Sequence, residues 1–252
     1  MRRVFIVLLL GITCVPSMTA APVEELFRQG IAAYKAGSYE ASVGLFDSVR
    51  AAGKDGFILQ YNLGCAHYKN GDIGKSVLAF ERALRFDPGN MDAMHNLNVV
   101  RARTRDRIEP IPLIFVVQWW NDVKDAHLPS TFFLWSALFL SLLAASAFVF
   151  LGFRGTMLRR TALATGFLAA LLFIAALGLY RERVRELEQQ RFAVVMQAIV
   201  TARSTADASA VDSFTMHEGL TVEILRESNG QYLVRLADGK QGWVPSGTVE
   251  RI

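Results

Sequence analysis

The chain has 252 residues, 52% hydrophobic and 20% charged, with 27 basic side chains against 23 acidic ones and a net charge of +4. That balance is too even and too scattered for a nucleic-acid footprint. The apolar residues fall in blocks, which predicts small modules joined by membrane-spanning segments rather than one large core.

Residues 1–21 have the three-part layout of a secretory signal peptide. Arg2 and Arg3 precede an apolar run from Val4 to Val15, and small residues follow to Ala20 and Ala21. The run is too short to span a bilayer comfortably. Cys14 lies inside it, and "GITC" is a poor lipoprotein box. Processing would leave Cys65 as the single thiol, with no internal disulfide to form. The chain beyond the leader is expected to be exported.

Residues 22–108 repeat with a period of 34, so that Gly30, Tyr34, Gly37 and Phe46 recur as Gly64, Tyr68, Gly71 and Phe80. The spacing resembles the tetratricopeptide repeat, with residues 57–90 the better copy. A small residue at Gly64 lets the two helices of a hairpin approach, and Gly71 permits the turn between them. Ala66, Val77, Phe80 and Ala83 fill the seam, and Pro88 stops the second helix. The first copy departs in carrying Ser42 in the seam and no closing proline. "MDAMHNLNVVRARTRDR", residues 91–107, reads as a basic capping helix. Two repeats and a cap fall short of the usual three, so a partner or the membrane-proximal segment is expected to complete the stack.

In that register Asn62, Cys65, Lys69 and Asn96 line the concave face, and Lys35 is the first-copy counterpart of Lys69. These five form the expected protein-binding groove. Asn62 and Asn96 equally suit helix–helix hydrogen bonding. The clamp by which some such repeats hold a terminal carboxylate is absent, because its positions carry Phe27 and Ile31. Cys65 and His67 are two apart, roughly 200° around a helix, and cannot pair. His95 could approach Cys65 from the next helix, but no orienting carboxylate accompanies it. The four histidines are isolated, without metal-ligand spacing. No catalytic residue, metal or other cofactor is predicted, and the chain reads as a non-enzyme.

Residues 109–130 form a juxtamembrane segment whose prolines break the preceding helix. Trp119 and Trp120 suit an interfacial anchor or packing against the first domain. Residues 131–153 and 161–180 are uncharged. The second, twenty residues long, spans roughly 30 Å as a helix, the thickness of a bilayer's hydrocarbon. Residues 154–160, with Arg154, Arg159 and Arg160 and no acid, suit a cytoplasmic turn. The small series Ala144, Ala145, Ala147 and Ala164, Gly166, Ala169, Ala170 would let the two spans pack closely. A chain that starts outside and crosses twice ends outside, which places both end domains in the periplasm or exterior.

After a charged linker, 181–193, the period changes to that of strands. "TVEIL", "QYLVRL" and "QGWVP" are punctuated by Ser228–Asn229–Gly230 and Asp238–Gly239. Residues 194–252 resemble a bacterial SH3-type domain, an all-β barrel. Gly242 is expected to admit Trp243 onto the barrel. Trp243 and Phe214 suit its core, Tyr232 an exposed contact, and Tyr232 and Trp243 are the candidate peptide-binding aromatics.

The order of leader, repeat hairpins, "RIEPIP…WW", two spans and barrel resembles the Bacteroides aerotolerance operon BatE-like family across the whole chain. The resemblance implies partners: von Willebrand A-domain membrane proteins and a MoxR-type ATPase, in envelope or oxidative stress. The expectation is a scaffold in the inner (cytoplasmic) membrane, in which two weak modules on one anchor raise each other's effective concentration. The alternative is a cell-wall-binding adaptor recruiting a peptidoglycan-modifying enzyme.

Overall fold

The computed structural model describes residues 20–189, 191–206 and 211–252. The expected leader through Thr19, with Cys14, lies outside them. The chain divides into two compact units, residues 1–54 and 55–252.

In the first unit, α1 (Ala20–Lys35) and α2 (Tyr39–Ala51) form a hairpin. Gly37 turns between them with φ +77°, in the left-handed region that costs a glycine little. A Cβ on Gly30 would sit 2.5 Å from the Phe46 ring, so only glycine lets the fully buried Phe46 lie flat on α1. Ser42 Oγ donates to the Gly30 carbonyl at 2.8 Å.

The second unit repeats this construction in α3 (Phe57–Asn70) and α4 (Ile73–Phe86). A Cβ on Gly64 would meet the Phe80 ring at 2.9 Å, and Ser76 Oγ donates to the Gly64 carbonyl at 2.8 Å. Ser42 is therefore no departure from the repeat: Ser76 stands 34 residues on and makes the same bond. Gly71, with φ +91°, ends α3, and its loop returns the Asp72 N–H to the His67 carbonyl.

Helix α5 (Met91–Arg101) is capped by Asn90, whose side chain accepts from the Ala93 N–H at 3.1 Å. It packs on α4 through Ala93, Leu97 and Val100. The expected basic helix to residue 107 stops at Arg101. Thr104 Oγ1 donates to the Arg101 carbonyl there, and the chain leaves to run along the sheet. Asp106 accepts from the His217 N–H at 2.6 Å and lies 2.7 Å from its Nδ1. Ile108 packs on the sheet core, and Ile111 N–H bonds the Ala237 carbonyl.

Helix α6 (Phe115–Asp125) leads into α7 (Pro129–Gly152) and α8 (Thr156–Gln189). The last two are long and apolar enough to cross a membrane by length and composition. They pack against each other over Ala162, Gly166, Ala169 and Ala176 of α8 and Ser136 and Ser146 of α7. Ser146 donates to the Ala162 carbonyl, and a Cβ on Gly166 would lie 2.8 Å from its hydroxyl. Of the expected small series, Gly166 and Ala169 are buried, whereas Ala144, Ala145, Ala147 and Ala164 face outward. The charged stretch after Tyr180 continues α8 to Gln189.

Strands β1 (Phe192–Val195), β2 (Ile199–Arg203), β3 (Asp212–His217), β4 (Thr221–Ser228), β5 (Gln231–Arg235), β6 (Gln241–Pro245) and β7 (Val249–Arg251) follow. They form one antiparallel sheet in the order β3-β2-β6-β5-β4-β1-β7. Asn229 (φ +49°) and Gly230 (φ +72°) close the β4–β5 hairpin with both central residues left-handed. One face buries Val195, Val200, Ala202, Met216, Val222, Val234 and Val244 among others.

The sheet is not an independent bead. Val194 of β1 and Ile252 join Val77, Leu78, Phe80, Leu97 and Val100 in one hydrophobic cluster. Glu218 accepts from the Gly74 N–H at 2.8 Å, and Arg82 reaches Glu250 and the Arg251 carbonyl. Val194 and Ile252 thus cover the outer side of α4 and α5.

Candidate protein-binding surfaces

The groove face of α3 and α5 is tied together by one tyrosine. Asn96 Nδ2 donates to the Tyr61 hydroxyl at 2.8 Å, and that hydroxyl also hydrogen-bonds with Cys65. Asn62 turns back on its own helix, donating to the Ile58 carbonyl at 2.7 Å. Lys69 is exposed; so is Lys35, at the end of α1 in the first unit. The structure thus brings Asn96, Tyr61 and Cys65 together and leaves the amides engaged within the helices. Tyr61, the residue that links them, was not among the expected groove residues. Its tyrosine-for-phenylalanine choice at a seam position is the signal that could have marked it.

Cys65 is half-buried. Burial pushes its thiol up, against the Tyr61 hydrogen bond and the charge of Lys69, which pull it down. A raised thiol stays protonated near neutrality, opposite to what a nucleophile needs. His67 is buried, with Nδ1 3.1 Å from Asp72 Oδ2, and His95 is exposed. Among the described residues no cluster of three potential metal ligands occurs.

The two hairpins share a glycine seam, each locked by a serine on the glycine carbonyl, and their sequence has counterparts among known proteins. Residues 27–90 match the tetratricopeptide repeat family. No curated protein matches the chain. Such repeats supply a protein–protein interaction module, and the family is generally non-catalytic. The hairpins here also expose apolar side chains outside the expected groove set, chiefly Ile58, with Met91 and Met94 on the adjoining α5.

On the sheet, the two candidate aromatics lie on opposite sides. Tyr232 pairs with Val244 and packs against the core, and the Arg251 guanidinium stands 5.0 Å from its ring centre. Trp243 pairs with Leu233 and Arg203, which puts it on the outer face. The expected roles are exchanged, Trp243 outside and Tyr232 against the core. Phe214 does pack on the core, as expected. Gly242 makes room for Ala202 and Phe214, 2.8 and 3.1 Å from where its Cβ would be, rather than for Trp243.

The juxtamembrane tryptophans also separate. Trp119 is 55% exposed. Trp120 donates from Nε1 to Glu182 of α8 at 3.0 Å and lies over Gly178. Trp120 therefore packs against α8.

Proposed function

We infer that the protein is a non-catalytic scaffold held in a membrane by α7 and α8, presenting one composite binding body at the lipid surface. The observation that carries this reading is the shared core of α4, α5, β1 and Ile252. It joins a tetratricopeptide hairpin rigidly to the sheet, so the two modules act at a fixed spacing instead of through a flexible linker. The outward faces of α7 and α8 are apolar along their length, with Phe133, Leu134, Phe148, Leu151 and Phe167 all more than half exposed. Water would penalise that surface, and hydrocarbon would not. Ile114 and the first residues of α6, Phe115 and Val116, are exposed and apolar as well.

In this reading the sheet is an SH3-type barrel, and Trp243, Leu233 and the Lys69 side of the helical groove are the contact surfaces. The inner membrane, the periplasmic placement of both end modules, and partners of the von Willebrand A-domain and MoxR-type ATPase kinds complete the proposal. The partners rest on the family resemblance of the whole domain order, and the placement on an exported start followed by two spans. Crosslinking in intact cells with identification of co-purified proteins tests it: recovery of von Willebrand A-domain membrane proteins is expected. Alkaline phosphatase fused at residue 252 should be active, and trypsin added to spheroplasts should reach both ends. A shielded carboxy-terminal module beside a digested amino-terminal one would end the reading.

A further inference from the structure

Between α4, α5, α6, α8 and β1 lies a cavity of about 520 Å³, beyond the charged end of the apolar pair. Five of its lining side chains are basic, Arg85, Arg101, Lys124, Arg183 and Arg191, and three are acidic, Glu81, Asp125 and Glu186. The carboxylates are engaged. Glu81 pairs with Arg101, Glu186 with Lys124 and, at 3.4 Å, with Arg183, and Asp125 with Arg183 at 3.2 Å. Lys124, 7% exposed, has a second carboxylate in Glu182 at 3.6 Å.

Arg85 is different in kind. Its guanidinium donates to two main-chain oxygens, of Ile252 and of Leu187. The charged groups felt most strongly beside it are Arg183 and Arg82, and burial together with those two like charges pulls it below its ordinary value. Arg183 is 14% exposed, and its Nε, fully buried, has no hydrogen-bond partner. A buried donor without an acceptor is costly, and like charge nearby adds to that cost. Asp125 itself is largely exposed and meets Arg183 from the open side of the cavity.

The geometry points to an anion site in this cavity, in which Arg85 and Arg183 together hold a phosphate group. Guanidinium forks match the oxygens of a phosphate in pairs, and one phosphate can meet both arginines, whereas the lining carboxylates pair, of these two, with Arg183. Two sources carry that chemistry, a phospholipid headgroup and free phosphate. Position favours the headgroup: Arg183 follows Tyr180, the end of the uncharged run 161–180, by three, about 5 Å along a helix. The lipid source rests on the membrane reading above; the phosphate site itself does not.

The test uses the full chain purified in non-ionic detergent. In one arm it is reconstituted into vesicles of equal parts phosphatidylcholine and phosphatidylglycerol, re-extracted, and weighed with its retained lipids by native mass spectrometry. In the other, inorganic phosphate is titrated into the lipid-free protein by calorimetry. Wild type should keep phosphatidylglycerol in preference to phosphatidylcholine. Arg85→Gln and Arg183→Gln should each weaken retention about tenfold or more, the size of one lost hydrogen bond to a charged group. Arg85→Lys and Arg183→Lys, which keep the charge and lose the fork, should fall between. Phosphate bound without lipid preference would uphold the site and make its source soluble. Wild type that takes neither ligand overturns the proposal, as do glutamine variants that melt cooperatively and bind like wild type. Should the chain prove soluble without detergent, the membrane reading fails while the calorimetric arm still decides the site.

Discussion

The two hairpins have the same seam and different surroundings. Gly30 and Gly64, Ser42 and Ser76, Phe46 and Phe80 occupy matching places and make matching contacts. Yet α2 buries Ser42, Phe46 and Val49, whereas α4 buries those equivalents and also Gly74, Val77, Leu78 and Ala79. The extra positions lie on a second face. Gly44, Ser48 and Ala51 of α2 become Leu78, Arg82 and Arg85 of α4, and those three residues meet the sheet and α8. A hairpin motif specifies how two helices close on each other. What a helix does with its back is written separately, in residues the motif leaves free.

Breaking that second face should have the largest effect. Leu78→Ala removes a buried side chain from the helix–sheet cluster and should cost about 2–5 kcal/mol in denaturant unfolding. Gly44→Ala, where an added Cβ meets nothing within 4 Å, should instead stabilise by about 0.5–1 kcal/mol through helix propensity alone. If Leu78→Ala costs no more than a surface change, the helix–sheet core is not one cooperative body.

The seams should respond alike. Gly30→Ala and Gly64→Ala both force a methyl into a phenylalanine ring and should each cost about 1–3 kcal/mol by overpacking. Ser42→Ala and Ser76→Ala each strip a donor from a buried glycine carbonyl and should cost about 1 kcal/mol. Thermal melts of the four variants would expose any asymmetry, and a twofold difference within either pair would show that the copies are not equivalent.

The smallest expected effect separates the turns. Asp72, between α3 and α4, has burial raising its carboxyl, but hydrogen bonds from Asn70 and His67 and the charges of His67 and Lys75 prevail and lower it. The first hairpin has Ser38 there. A lowered carboxyl contributes stability that is full above its unfolded value, near 4, and is lost as pH falls through the folded value. The melting-temperature gap between wild type and Asp72→Asn should therefore narrow as the solution is acidified below about pH 4. A gap that stays constant would remove Asp72 as its source.

The hairpin seam was legible because it is local. The period of 34 names the seam, and the interchange between Asn96 and Tyr61 spans 35 residues, one repeat and one position more. The ion-pair group at the C-terminal end of α8 was not legible. Lys124 and Glu186 are 62 residues apart, and each by itself reads as an ordinary charge on a solvated helix. The sides taken by Tyr232 and Trp243 were misread for another reason. In a strand, parity decides which face a residue takes, and Gly242 and Val244 point inward on either side of Trp243. Size had suggested the core for the tryptophan, and alternation overruled it.

By itself the sequence determined the hairpin seams, the two long apolar helices, and the strands with their Asn229–Gly230 turn, since each is set by spacing within a few dozen residues. Tertiary structure alone decided that Val194 and Ile252 cover the outer side of α4 and α5, and that Arg85 and Arg183 come to face one cavity. Periodicity records which face of an element is apolar or charged. Which distant segment covers that face depends on packing between parts of the chain more than a hundred residues apart, as with Arg85 and the Leu187 carbonyl.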